Sequence, residues 1–503
     1  MKKKYIGAID LGTTSTRFIL FDHSVNIVSS YQIEHKQIYP QPGWVEHNPL
    51  QIWKNTVIAI DTTLKKAKIK AEEIAAIGIT NQRETTVVWN PNTGKPYYNA
   101  IVWQDIRTDK ICNGLELKYG HGFFRKRTGL PLTTYFSAPK IHWLLSNITG
   151  LKQAVTKDNA IFGTIDSWII WQLSGGKRGG VHITDVTNAS RTLMMNLKSL
   201  NWDSELLKIF EIPASMLPQI KPSIDSEIYA YTDKKGVLKY SIPICGDLGD
   251  QQAALFGQTC FKYGEAKNTY GTGCFLLLNT GEDFIYSKYG LLTTLAYKIR
   301  NQKAIYALEG SVANAGSLVQ WFRDNLQLIK HSDEIESLAR KVKDNGGIYF
   351  VPAFSGLFAP YWDSQARGLI VGLTHYINRN HIARSILEST AFQVYDIFMA
   401  MYKDSNIKLK SLKVDGGMTV NRLLMQFQSD ILNIPIVRSE IVETTALGAA
   451  YAAGLAIGFW KNLAELKQNM KSGEKWIPKM KNEEREILCH NWQKAVKRTF
   501  HWL

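Results

Sequence analysis

Two stretches of the chain follow one plan. Residues 5–21 (YIGAIDLGTTSTRFILF) run from an apolar strand through a tip of Gly, Thr and Ser into a second apolar strand, and residues 266–278 (AKNTYGTGCFLLL) do the same. A hairpin written twice points to two related halves. A length of 503 residues also allows about three domains at roughly 150 residues each, but the repeat favours two. Strand and helix patterns alternate in both halves: residues 74–79 and 87–89 read as strands, and residues 137–145, 253–256, 315–324 and 382–402 as helices. This predicts an α/β fold of two related domains, each a mixed sheet flanked by helices. The boundary is expected just after Asp250, giving residues 1–256 and 257–503. No low-complexity segment or long linker separates them. The halves are therefore expected to pack face to face around a cleft, where small-molecule sites tend to form.

Several classes are excluded early. The cysteines Cys112, Cys245, Cys260, Cys274 and Cys489 are scattered and form no C-x-x-C pair. That rules out a disulfide framework or a cysteine-rich zinc site, and it suits a reducing, cytoplasmic setting. The basic start Met1-Lys2-Lys3-Lys4 resembles the head of a signal peptide, but Asp10 interrupts the apolar stretch behind it. Residues 444–460 resemble a membrane span, yet they carry Gly448, Gly454 and Gly458 and fall short of the usual ~20 residues. A buried, tightly packed helix is expected there, and no membrane insertion. The net charge of +16 is spread over short runs such as residues 65–70 and 461–481, mixed with Glu and apolar residues. Such runs read as solvated helix faces, so no nucleic-acid partner is expected, although a basic surface favours an anionic small ligand.

The hairpin tips carry the chemistry. No G-x-x-x-x-G-K-[ST] loop occurs, because Gly94-Lys95 and Gly176-Lys177 lack the hydroxyl residue that must follow, and no H-R-D kinase loop occurs either. The first tip reads Asp10-Leu11-Gly12-Thr13-Thr14-Ser15-Thr16-Arg17. Gly12 lets successive N–H groups converge on an anion. Thr13, Thr14, Ser15 and Thr16 add hydroxyl donors, Arg17 offers a fork matched to phosphate, and Asp10 is a hard oxygen ligand placed to hold Mg²⁺. Alone, such a turn reads equally well as a polar β-hairpin. The second tip, Thr269-Tyr270-Gly271-Thr272-Gly273, favours a pair of turns clamping a polyphosphate from both sides.

Longer blocks carry a resemblance: NQRETTVVW (residues 81–89), VWQDIRT (102–108), YFSAPKIHWLL (135–145), TDVTNASRT (184–192), GDQQAALFGQ (249–258), NTYGTGCF (268–275), FAPYWDSQARG (358–368), VDGGMTVNRLLMQFQSDIL (414–432) and TTALGAAYAAG (444–454). From about residue 5 to 460 the chain resembles the sugar-kinase (FGGY carbohydrate kinase) family of the actin and hexokinase superfamily, and specifically the glycerol kinases. The resemblance implies two actin-like (ribonuclease H-like) domains. It further implies transfer of the γ-phosphate of ATP to glycerol with Mg²⁺, and a homo-oligomer, dimer or tetramer. It assigns Asp10, Thr13, Thr14 and Arg17 to the first phosphate motif and Gly271 and Thr272 to the second. Gly316, Gln320, Gly417 and Asn421 would line the adenosine pocket. A strand ending in Gly416-Gly417 permits a flat purine to approach, but it is also what a tight strand-to-helix turn needs.

The same resemblance places the acceptor. Its G-D-Q-Q-A-A-L pattern lands on Asp250, which becomes the general base and a second oxygen ligand for Mg²⁺. Asp247 is the rival base and reads as structural, and an Asp ahead of a helix is otherwise an N-cap. Arg83 and Glu84 would read as solvent-facing charges by themselves. In a pocket, Arg donates and Glu accepts, so the pair can grip vicinal hydroxyls. Trp103, Tyr135 and Phe275 would form apolar walls, and Gln251 a further polar contact. Another polyol or a ketose such as xylulose is the alternative acceptor, and a nucleotide-dependent filament protein of the actin type a third reading. Departures from the family pattern are Phe358 before Ala359-Pro360, a longer turn at residues 175–180, and residues 233–239, which lack the Gly-rich effector-loop pattern of bacterial relatives.

Overall fold

The computed structural model describes residues 3–120, 122–470 and 472–503. Met1 and Lys2 of the basic start, and Lys471 within the basic stretch 461–481, lie outside the described residues.

The repeated hairpins form and seed two sheets of matching topology. Tyr5–Leu11 pairs antiparallel with Ser15–Phe21, setting Asp10 opposite Arg17, and Ile27–Glu34 continues the antiparallel run. On the other side Ile74–Asn81 lies parallel to Tyr5–Leu11, and Pro243–Gly249 parallel to Ile74–Asn81. With the edge strand Ala230–Tyr231 this makes a six-stranded sheet. In the second half Ala266–Tyr270 pairs antiparallel with Cys274–Gly281, which pairs antiparallel with Ile305–Val312. Leu412–Asp415 lies parallel to Ala266–Tyr270, and Ile436–Ser439 parallel to that. Leu292–Tyr297 and Ser472–Trp476 complete a seven-stranded sheet. Each half therefore holds a mixed sheet flanked by helices, as expected. The central strands are buried on both faces, which fits their near-continuous apolar runs.

Helices form where the apolar period of 3.6 predicts them, and caps set their ends. The run 382–402 extends to Arg379–Ser405, because Asn378 accepts a hydrogen bond from the Asn380 N–H at one end and Asn406 adopts a left-handed φ of 55° at the other. Similarly, residues 137–145 become Ser137–Asn147, 315–324 become Gly316–Asp324, and 253–256 become Asp250–Gly257.

The small-residue run forms the helix Thr444–Ala456, buried along most of its length. It belongs to the second half but packs on the first sheet and on the helix Asp250–Gly257. A methyl group on Gly78 would lie 1.9 Å from the Ala449 carbonyl oxygen, and one on Gly448 would lie 1.9 Å from that of Ala253. Backbones this close leave no room for a side chain, which is why the helix reads like a membrane span. Among the described residues no helix is long and apolar enough to cross a membrane. Residues of both halves share the resulting core, Ile6, Ala76, Leu277 and Leu447 among them.

Candidate active site

The first tip is held from behind by side chains. His35 Nε2 lies 2.8 Å from the Thr13 carbonyl oxygen, Gln37 Nε2 donates to the same oxygen at 3.0 Å, and Gln82 Nε2 donates to the Gly12 carbonyl at 3.1 Å. The Thr13 hydroxyl accepts from Trp103 Nε1 at 3.0 Å, so an expected acceptor-pocket wall touches the phosphate turn. Thr14 is exposed, whereas the buried Ser15 hydroxyl accepts from Gln32 on the neighbouring strand. Arg17 faces Asp10 Oδ2 at 3.1 Å and also pairs with Glu443, just ahead of the interlobe helix. Burial raises the Asp10 carboxyl to about 6, Arg17 opposes this, and Glu443 and Asp250 add to it.

An oxygen-binding cation fits this corner. Asp10 is 3 % exposed, its Oδ2 lacks a hydrogen bond among the described residues, and Asp250 is near enough to act on it electrostatically. No group of three or more His, Cys, Asp or Glu among the described residues could hold a metal ion alone. That donor set suits Mg²⁺, which takes one or two carboxylates and completes its shell with phosphate oxygens and water.

The second tip is braced by backbone. Ala315 N–H and Ser317 N–H donate to the Thr272 carbonyl at 3.0 and 3.1 Å, and Gly316 N–H to the Gly271 carbonyl at 3.0 Å. Gly271 and Thr272 are exposed at the cleft. A side chain on Gly316 would meet the Gly271 carbonyl at 2.6 Å, so the helix Gly316–Asp324 can start here only with glycine. The double glycine divides its duties. Gly416, at φ +93°, would put a methyl 2.3 Å from the Tyr270 carbonyl, whereas Gly417 is exposed with nothing within 4 Å of a built Cβ among the described residues. Gly416 thus serves the turn, and Gly417 leaves open space. Gln320 is exposed on the same helix as Gly316, and Asn421 caps the helix Arg422–Leu432 through the Leu424 N–H at 2.9 Å.

The residues expected in the acceptor pocket converge between the sheets. Arg83 and Glu84 follow the strand Ile74–Asn81 and are buried at 3 % and 1 % exposure, not solvent-facing. Glu84 adopts φ 61°, a left-handed conformation costing about 1–3 kcal/mol for such a residue. Arg83 Nε lies 3.1 Å from Asp250 Oδ1, and Trp103 meets Tyr135 and Phe275 edge-on with ring centroids 5.4 and 6.5 Å apart. Phe275 comes from the second hairpin, so both halves wall the space. Asp250 opens the helix Asp250–Gly257 but is not its N-cap, a position held by Gly249. Burial raises the Asp250 carboxyl, while Arg83 and Lys267 oppose the rise. Asp247 is fully buried in the strand, where desolvation, Asp166 and Asp185 hold its carboxyl well above the usual range. That environment is unsuited to a base facing the cleft. Phe358 lies against Trp362 at 6.1 Å and lines a small cavity with Ala313 and Asn314, just ahead of the helix Gly316–Asp324.

Several site residues escaped the sequence. Glu309 and Arg191 pair with Arg83 and Glu84. Lys267 is buried, donates to Gln251 Oε1 at 2.5 Å and Thr269 Oγ1 at 2.8 Å, and is lowered to about 8 by desolvation. A lone Glu in the apolar strand YALEGSV was the available signal for Glu309.

Known proteins show the family. The N-terminal domain of the FGGY family of carbohydrate kinases matches residues 5–257, and its C-terminal domain residues 266–457. A glycerol kinase from Roseiflexus sp. (strain RS-1) is 58% identical over 500 residues, 99% of either chain. The crystal structure of Plasmodium falciparum glycerol kinase with ADP superposes with a TM-score of 0.92 at 42% identity, covering 99% of this chain and 98% of that one. A ligand-bound xylulose kinase from Lactobacillus acidophilus gives 0.85 at 25% identity, over 99% of this chain and 97% of that one. With both family domains matched and kinship running the full length, the chain belongs to the FGGY family of carbohydrate kinases, in its glycerol kinase branch.

Proposed function

We propose that the chain transfers the γ-phosphate of ATP to glycerol, giving sn-glycerol 3-phosphate and ADP. Asp250 takes the proton of the acceptor hydroxyl as the phosphoryl group arrives, a role worth about 10²–10⁴ in rate. Arg83 donates to one hydroxyl and Glu84 accepts from its neighbour, with Gln251 a further contact and Trp103, Tyr135 and Phe275 enclosing the carbon chain. Thr13, Thr14, Arg17, Gly271 and Thr272 hold the phosphates, and Ser15 steadies the first turn through Gln32. Gly316, Gln320, Gly417 and Asn421 receive the adenosine. Asp10 and Asp250 would hold Mg²⁺, which would neutralise phosphate charge. Residues 1–256 carry the acceptor pocket and first turn, and residues 257–503 the second turn and adenosine pocket. Closure of the halves excludes water and limits wasteful ATP hydrolysis. The enzyme works in the cytoplasm as a homo-oligomer, dimer or tetramer.

The observation that carries this reading is the buried Arg83-Glu84 pair beside Asp250, within an aromatic enclosure fit for a small polyol. Coupled ADP release, with and without glycerol, tests it. Release that depends on glycerol is expected. Equal release without an acceptor, or a strong preference for xylulose, would overturn it.

A further inference from the structure

Four buried charges form a closed ring beneath the acceptor space. Arg83 donates to both oxygens of Glu309, Nη1 to Oε2 at 2.6 Å and Nη2 to Oε1 at 2.8 Å. Arg191 faces Glu309 Oε1 through Nη2 at 3.5 Å and donates Nε to Glu84 Oε1 at 2.6 Å. Glu84 Oε1 in turn lies 4.0 Å from Arg83 Nε. Signs alternate around the ring, which balances its charge. Burial alone would push the Glu309 carboxyl up, yet Arg191 and Arg83 hold it down at about 2.

We propose that Glu309 and Arg191 are positioning residues that fix the acceptor grip of Arg83 and Glu84; the inference rests on the acceptor pocket described under Proposed function. A guanidinium has five N–H donors, two of its edges able to clamp a carboxylate at two points. Near Arg83 the competing carboxylate is Asp250. Glu309 occupies the Nη1/Nη2 edge and Gln252 takes the other Nη1 hydrogen at 3.1 Å, so Asp250 is confined to the remaining Nε/Nη2 edge, where its Oδ1 lies 3.1 Å from Nε. One Nη2 hydrogen is left on that same edge, so a hydroxyl that it holds is presented beside Asp250. Arg191 does the equivalent for Glu84 by occupying Oε1. It also sits over the Tyr135 and Phe136 rings, 5.6 and 5.4 Å from their centroids, tying the pocket wall to the same ring. Glu309 stands on the second sheet and Arg83 just beyond a strand of the first. The grip is therefore completed only where the halves meet.

The test measures Glu309→Gln, Glu309→Asp and Arg191→Lys by coupled ADP release, varying glycerol and ATP separately. Glu309→Gln and Arg191→Lys are expected to raise the KM for glycerol about tenfold or more and leave the KM for ATP within about twofold. Glu309→Asp, which keeps the charge, should recover part of the loss. If Glu309→Gln fails to fold on heating curves, Arg191→Lys carries the same readout. A KM for glycerol within about twofold of wild type in either folded variant would overturn the proposal, as would an equal rise for both substrates. A wild-type enzyme idle with glycerol but active with a ketose overturns only the choice of acceptor. The same split is then read on the ketose.

Discussion

The two hairpins share a topology and differ in what holds them. The first tip is charged and braced by side chains: Asp10 and Arg17 face each other across it, and His35, Gln37, Gln82 and Trp103 contact it from behind. The second tip bears no charged side chain, and the N–H groups of Ala315, Gly316 and Ser317 hold it. The same turn is thus steadied by placed charges in one half and by backbone N–H groups in the other. In this molecule the charged version stands near Asp250 and the backbone version at the start of the helix Gly316–Asp324. In the function proposed above, charge is concentrated where it would meet a cation and a moving phosphoryl group.

Substitutions can break that comparison. The largest effect is expected next to the charged turn: Asp250→Asn should lower kcat by about 10²–10⁴ with ATP binding nearly unchanged, read by turnover and nucleotide titration. Near-wild-type turnover would remove Asp250 from the role of base. On the acceptor side, Arg83→Ala should raise the KM for glycerol about 10²-fold or more, since it breaks both the grip and the ring; an unchanged KM would place Arg83 outside the pocket. The backbone turn should respond to shape and not to charge. Gly316→Ala forces a methyl toward the Gly271 carbonyl, so the KM for ATP should rise about tenfold, whereas Thr272→Ala should change it by less than about threefold. A reversed order would mean that the Thr272 hydroxyl, not the backbone, does the holding.

The smallest expected effect concerns protons. Burial raises Asp185 in the first half and Asp396 in the second to about 7. Each binds its proton more tightly folded than unfolded. The stabilisation from that proton is full below about pH 4 and is lost as pH rises through about 7. Asp396→Asn should flatten its share of this slope, by about 2 °C in melting temperature between pH 4 and 7, measured by scanning calorimetry. An unaltered slope would mean that Asp396 is ionised in the fold. The carboxylate accepts from Trp492 Nε1 at 2.7 Å, which ties the last helix to Arg379–Ser405.

Much of the fold was legible before folding. The hairpins, the long helix at 379–405 and the small-residue helix are all local patterns, and the structure extends them only where caps such as Asn378 and Asn406 act. Harder to read were residues whose meaning depends on distant partners. Arg83-Glu84 looked like an exposed loop pair until Glu309, far along the chain, supplied a carboxylate. Ser15 is buried and its oxygen accepts from Gln32, a partner on the neighbouring strand that the turn sequence does not name. Gly416 and Gly417 looked alike, yet one is pressed against Tyr270 and the other lies open.

The order of residues alone determined the doubled strand-turn-strand plan and the chemical type of each tip, because period, turn chemistry and residue type act over a few neighbours. Only the assembled molecule decided which charges are neutralised and which remain available to a substrate. Burial strips water from an ionised group, and the partner that replaces water is chosen by contacts between segments hundreds of residues apart.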